Sequence, residues 1–171
     1  MGNLAIIYTT CKHSEEIIVL INIHKPIFHG LELVGTLPIF VSPEWAEHTQ
    51  TAGHIAHTIK EALLLYPRAK AVILTYPTYY GVTTSNGRNA PCDAYPVLVD
   101  EVHWAHAYSK FPQSALKYGT VIVVQSTHEI LPAMTMGAFL HVKSTLVNIE
   151  KVKSYLRILQ WSSPSYLLLA S

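Results

Sequence analysis

The stretch Val121-Ile122-Val123-Val124-Gln125-Ser126-Thr127-His128-Glu129 decides how the fold of this chain is interpreted. Its first four residues are apolar and β-branched, which predicts a strand buried on both faces of a sheet. Hydroxyl and imidazole side chains follow at once, in Ser126, Thr127 and His128. Because open α/β sheets bind ligands beyond the carboxyl ends of their strands, the stretch predicts a ligand site where this strand ends.

The rest of the chain alternates short apolar runs with longer amphipathic stretches, a pattern typical of βαβ units. We predict strands at 17–22, 37–41, 71–75, 97–99, 121–125 and 136–142, and helices at 4–12, 24–34, 52–65, 111–118, 148–160 and 165–170. The loop-forming residues of 83–96 fit neither pattern. The expected fold class is α/β, a three-layer αβα sandwich with a mostly parallel sheet, in a single domain over residues 1–171.

Composition excludes several classes of function. Half of the 171 residues are hydrophobic, 13% are charged and the formal net charge is +1, so nucleic acid is not an expected partner. No apolar run approaches the roughly 20 residues of a membrane span, and the amino terminus does not resemble a signal peptide. Cys11 and Cys92 lack metal-type spacing, which favours reduced thiols in a cytoplasmic protein. A mean hydropathy of +0.25 favours either strands buried on both faces or surface that meets another domain or subunit.

The segment Leu98-Val99-Asp100-Glu101-Val102-His103 is open to several interpretations. A helicase-type magnesium strand requires a Gly-rich phosphate loop ending in Lys-Ser/Thr, which the chain lacks. A metal site formed by Asp100, His103 and His106 lacks an assigned fourth ligand. An aspartate at a strand end also keeps the nitrogen of a bound pyridine ring protonated, so that the ring withdraws electrons. A purely structural buried aspartate remains a further alternative.

Longer segments favour the pyridine-binding aspartate among these alternatives, because they resemble a known family. Residues 99–106 are similar to V-D-E-A-H-G-A-H of the ornithine/lysine/arginine decarboxylases, which use pyridoxal phosphate (PLP). The same family is resembled at Asn22–Pro26 (N-x-H-K-S), His29–Leu33 (G-L-x-L), Tyr76–Val82 (S-P-T-Y-Y-G-V), Leu140–Lys143 (L-H-V-K) and Ser162–Tyr166 (S-x-S-P-S-Y). These segments occur in the family's order across nearly the whole chain.

The resemblance implies a fold, an activity and a set of site residues. It implies a partial PLP-dependent transferase-like large domain from an enzyme that decarboxylates a basic amino acid. Asp100 would face the pyridine nitrogen and His24 would stack on the ring, with His103 in the same cofactor-binding set. Ser126 and His128 would contact the cofactor phosphate.

The chain departs from the family at the residue that holds the cofactor. The lysine that forms the Schiff base follows the histidine in that family, and here the position is Glu129. A carboxylate supplies no nucleophilic amine and repels a phosphate held by Ser126 and His128, although it can pair with His128 instead. We therefore predict no catalytic residue here. No substitute is obvious among Lys110, Lys117 and Lys143.

Two further departures concern the ends of the chain. The resemblance places the family's phosphate loop before Met1 and its carboxyl-terminal domain after Ser171. We therefore expect a truncated, inactive homologue that binds PLP weakly and in which Glu129→Lys does not restore formation of the aldimine. One alternative is a non-catalytic interaction module that pairs with full-length decarboxylase subunits as a homo- or hetero-oligomer. Another is a degraded gene product that folds poorly.

Overall fold

A computed structural model describes residues 1–43, 45–46, 51–52, 56–83, 94–105, 113–118, 122–133, 137–143, 145–160 and 166. The helices are α1 (Gly2–Thr10), α2 (Lys25–Val34), α3 (Ala56–Leu65) and α4 (Ile149–Leu159). The strands are β1 (Glu16–Leu20), β2 (Leu37–Val41), β3 (Trp45–Ala46), β4 (Thr51–Ala52), β5 (Val72–Thr75), β6 (Val97–Asp100), β7 (Ile122–Ser126) and β8 (Ala138–Val142). None of the helices in these ranges has the length and apolar character of a membrane span.

Six strands form one sheet in the order β2-β1-β5-β6-β7-β8. Neighbouring strands are parallel except β8, which runs antiparallel to β7. Strands β5, β6 and β7 are buried along their whole length, which explains why their sequences are continuous apolar runs. The predicted α/β class and mostly parallel sheet are confirmed.

The connections between strands place helices on both faces of the sheet. The path β1-α2-β2 moves outward, and β2-α3-β5 returns past β1. Because parallel crossovers are right-handed, α2 and α3 lie on opposite faces. Helix α1 packs against α2 and α4. Gly30 permits the close approach of α1 and α2, since a Cβ there would lie 2.8 Å from Ile7 Cδ1.

Helix α2 has recognisable signals at both ends. His24 is its N-cap and Pro26 lies in its first turn, where a missing backbone N–H costs nothing. Gly35 follows its last residue with a φ of 71°, the left-handed conformation that glycine adopts without strain. The Gly35 N–H donates to the carbonyls of Leu31 and Glu32. These caps fix where the chain turns from the site back into β2.

Several predicted boundaries were wrong. Helix α1 begins two residues earlier than predicted, and α3 begins at Ala56 because Thr51–Ala52 pairs with Trp45–Ala46 as a two-residue antiparallel ribbon. The described part of 111–118 is a 3₁₀ turn over Ala115–Tyr118. Residues 84–93, which make up most of the irregular stretch, and most of the predicted last helix lie outside the described residues.

Candidate functional site

A cleft of about 400 Å³ opens at the carboxyl edge of the sheet. It is bounded by the first turn of α1, the start of α2 and the end of β7. Four of the residues predicted from sequence line it together, namely His24, Ser126, His128 and Glu129. The parallel topology causes this convergence, because β1 and β7 deliver the residues that follow them to the same edge.

The first turn of α1 forms one wall of this cleft through Gly2, Asn3 and Leu4. Amide groups of a first helical turn have no acceptor within the helix, and the helix dipole favours an anion there. Gly2 lets this turn approach β7, since a Cβ at that position would lie 3.3 Å from Val124 Cγ1. The wall therefore offers amide donors to a phosphate close to Ser126 and His128.

Asp100, the last residue of β6, lies beneath the cleft and is 2% exposed. Its Oδ2 accepts a hydrogen bond of 3.3 Å from Asn3 Nδ2, and its Oδ1 accepts one of 3.2 Å from the Val102 N–H. Burial raises the pKa of the Asp100 carboxyl, against the opposing effects of His24, the Val102 N–H and Asn3. Asn3 and Val124 line both the cleft and the small cavity that Asp100 borders.

The groups that end β7 form a short polar chain. His128 Nδ1 lies 3.1 Å from Ser126 Oγ and 3.1 Å from the Gly137 carbonyl oxygen. A carbonyl only accepts, so Nδ1 carries a proton in this arrangement. The opposite ring nitrogen, Nε2, lies 3.5 Å from Glu129 Oε1, an attractive contact when the ring is protonated. The Glu129 side chain remains 46% exposed in the cleft.

His103 lies away from the predicted residues that line the cleft, although it is one of the groups that oppose the raised pKa of Asp100. It is exposed in the 3₁₀ turn Val102–Trp104, and its ring meets Tyr79 edge to face at 5.5 Å. It does not line the cleft. The alternative metal site included His106, which is outside the described residues. Within the described ranges, no three His, Cys, Asp or Glu side chains are grouped so that they could hold a metal ion.

A buried network beside Asp100 was not predicted from sequence. Glu101 is 1% exposed and accepts hydrogen bonds from Ser114 Oγ at 2.9 Å, Gln125 Nε2 at 2.7 Å and the Ala115 N–H. Burial raises the pKa of Glu101, and those three donors oppose the rise. Gln125 Oε1 also contacts His141 Nε2 at 3.1 Å. The signal in the sequence was Gln125, a polar residue in an apolar strand that requires partners.

Among the residues that the structure describes, no lysine side chain lines the cleft. Lys25 falls between the lining residues His24 and Pro26 without lining it. Lys143 Nζ donates to the Leu116 carbonyl at 3.4 Å, and Lys117 is exposed. Lys110 is outside the described residues. Among the described side chains, the cleft thus combines anion-binding groups and a carboxylate with no amine.

Comparisons with known proteins identify the same family as the sequence motifs. The family described as "Orn/Lys/Arg decarboxylase, major domain" matches residues 1–171. An uncharacterized Bacillus subtilis protein, YaaO, is 46% identical over 178 residues, which cover 100% of this chain and 37% of YaaO. A Bacillus subtilis arginine decarboxylase is 33% identical over 174 residues, covering 98% and 36%. The chain spans little more than a third of the length of these relatives.

Solved structures show the same fold. The constitutive lysine decarboxylase of Escherichia coli superposes with a TM-score of 0.73 at 19% identity, covering 99% of this chain and 26% of that protein. Cystalysin from Treponema denticola, whose structure contains pyridoxal 5'-phosphate, superposes with a TM-score of 0.66 at 11% identity, covering 91% and 41%. The described fold is therefore that of PLP-dependent, transferase-like proteins.

Proposed function

Since the chain belongs to the Orn/Lys/Arg decarboxylase major-domain family, we propose that it is a catalytically disabled member of that family. The supporting observation is the cleft itself, in which His24, Ser126 and His128 meet Glu129 and no lysine within the described ranges contributes its side chain to the lining. Glu129 stands where the family resemblance expects the cofactor lysine. A carboxylate cannot form the covalent bond that this chemistry requires.

The residues present fit PLP in part. Asp100 would hold the pyridine nitrogen, and His24 would stack on the face of the ring. The phosphate would be held by the first turn of α1 together with Ser126 and His128. When bound, PLP supplies an electron-withdrawing ring that stabilises negative charge on a substrate carbon. The proposal for Asp100 is supported by the hydrogen bonds from Asn3 Nδ2 and the Val102 N–H, which hold its carboxylate in one orientation. The attachment point does not fit, because Glu129 offers a negative charge where an amine is needed.

A trapping experiment tests the proposal. The chain is incubated with PLP, reduced with borohydride, and analysed by intact mass and peptide mapping. We expect no stoichiometric adduct at any single position, both in the wild type and in Glu129→Gln. The variant removes the charge without adding an amine, so it separates repulsion from the missing nucleophile. One adduct per wild-type chain, mapped to one lysine, would show that another residue serves and would refute the proposal.

A second candidate function is pairing with another chain of the decarboxylase fold. Tyr79 and Tyr80 are 77% and 74% exposed, and their rings meet edge to face at 5.4 Å beside His103. Exposed aromatic clusters are enriched where proteins associate. The proposed occupant is a second copy of this chain. In sedimentation experiments the wild type should be a dimer and the double variant Tyr79→Ser/Tyr80→Ser a monomer. The control is Tyr66→Ser, which should remain a dimer. A monomeric wild type would exclude pairing between copies of this chain.

The proposal also places the protein in the cytoplasm. Cys11 is a buried free thiol, and burial raises its pKa to about 11, so it stays protonated and unreactive at neutral pH. In a reducing compartment a cysteine of this kind stays a free thiol and does not form a disulfide. Cell fractionation checks this location, and recovery of the protein outside the cytoplasmic fraction would contradict it.

A further inference from the structure

The cleft carries two opposite electrostatic features close together. Its anion-binding side consists of the first-turn amides of α1 with Ser126 and His128, and the carboxylate of Glu129 lies beside them. A volume of about 400 Å³ is within the usual range for sites that bind small molecules. A matching ligand has a phosphate-bearing group and a positively charged group on neighbouring positions of a ring.

We propose that this cleft selects the amine form of the cofactor, pyridoxamine 5'-phosphate, and holds it without a covalent bond, with Glu129 as the counter-ion of its ammonium group. The inference rests on the proposed function, because it assumes that the cleft takes a phosphorylated pyridine. It adds a ligand preference that loss of catalysis alone does not imply.

The chemistry of position 129 supports this preference. An aldehyde carries no positive charge and cannot donate a hydrogen bond, so it gains nothing from a carboxylate. A primary ammonium group donates up to three hydrogen bonds and forms a charge-assisted pair with it. The present partner leaves Glu129 available, since its 3.5 Å contact with His128 Nε2 is longer than an ordinary hydrogen bond.

Calorimetry with three related ligands tests the inference. Pyridoxamine 5'-phosphate, pyridoxine 5'-phosphate and pyridoxal 5'-phosphate share the ring and the phosphate and differ in an ammonium, a hydroxyl or an aldehyde. We expect the wild type to bind the amine about three- to tenfold more tightly than the hydroxyl form, as a partly exposed ion pair allows. Glu129→Gln should bind the two with equal affinity.

A matched variant controls for net charge. Glu32→Gln removes the same charge from an exposed position on α2 that does not line the cleft, and it should keep the wild-type preference. Thermal melting confirms that each variant is folded. Equal affinities in the wild type, a preference that persists in Glu129→Gln, or no binding of the amine would each overturn the inference. Failure of the proposed function looks different, because it appears as a mapped covalent adduct with the aldehyde.

Discussion

Two neighbouring parallel strands lead to carboxylates at the same edge of the sheet, and the surroundings of these carboxylates are opposite. Strand β6 ends in Asp100 and is followed by Glu101, which are 2% and 1% exposed and are held by hydrogen-bond donors. Strand β7 leads to Glu129, whose side chain is 46% exposed in an open cleft and pairs with His128 at 3.5 Å.

This difference distinguishes carboxylates that the fold requires from a carboxylate that can be replaced without loss of the fold. Removing a buried carboxylate leaves its donors without a partner, which is costly in a low-dielectric interior. Replacing a residue in an open cleft leaves water to solvate whatever remains. A lysine and a glutamate are therefore both compatible with the fold at position 129, although their chemistry is opposite. Loss of the amine does not require loss of the domain.

The largest expected effect is at Glu101. Glu101→Ala leaves Ser114, Gln125 and the Ala115 N–H without their acceptor, and should lower the free energy of unfolding by about 3 kcal/mol. Urea denaturation measures this change. The control is Glu61→Ala, which removes an exposed glutamate from α3 and should have little effect. If both variants lose the same stability, the buried network is not what holds this end of β6.

A smaller effect is expected at Asp100. Asp100→Ala removes the acceptor of Asn3 Nδ2 and of the Val102 N–H. Because Asn3 lines the cleft, water can replace the lost acceptor of its amide after a small rotation. The free energy of unfolding should fall by about 1–2 kcal/mol in the same urea experiment. A loss as large as that in Glu101→Ala would show that the two carboxylates are equally committed to the fold.

The pH dependence of stability sharpens the comparison further. Burial raises the pKa of Glu101 above its ordinary 4.5, so the folded chain keeps this proton to a higher pH than the unfolded chain. The contribution of Glu101 is therefore most favourable near and below pH 4.5 and declines as the pH rises through the raised pKa. Glu101→Gln cannot titrate. Across that window, wild type should lose stability relative to Glu101→Gln, and a constant difference between them would contradict the burial argument.

The smallest effect on stability is expected at Glu129. Glu129→Ala removes an exposed carboxylate whose His128 partner is also in contact with Ser126 and Gly137. The free energy of unfolding should change by less than about 0.5 kcal/mol, as for other exposed residues. Thermal and urea unfolding both test this. A loss above 2 kcal/mol would mean that Glu129 supports the fold and that the contrast between the two strands is wrong.

The sequence predicted the sheet well for a physical reason. Continuous apolar runs are typical of strands buried on both faces, as β5, β6 and β7 are, and the six predicted strands correspond to the six strands of the larger sheet. The ribbon of Trp45–Ala46 and Thr51–Ala52 was missed because two-residue strands are too short to show a period. Helix ends were displaced because a periodic pattern does not define them.

The sequence predicted the residues of the site only where they lie at or just after the end of a strand. His24, Ser126, His128 and Glu129 follow strand ends, so the topology brings them together. The contact of Asn3 with Asp100 joins residues 97 positions apart, and no local pattern encodes it. The Glu101 network joins residues 13, 14 and 24 positions apart, which is also beyond the reach of a local pattern. His103 follows β6 closely in sequence, yet its 3₁₀ turn directs it to Tyr79.

One measurement tests the central claim most directly, namely that Glu129 alone removes the covalent chemistry from an otherwise intact cleft. From the sequence we predict that Glu129→Lys does not recover aldimine formation; the first turn of α1, which lines the cleft, leads us to expect the opposite, and this measurement decides between the two expectations. Wild type, Glu129→Gln and Glu129→Lys are treated with PLP and borohydride and mapped by mass spectrometry. We predict one adduct per chain, at position 129, in Glu129→Lys alone. An unlabelled Glu129→Lys that is folded, or a wild type labelled to the same extent at another lysine, would contradict the claim.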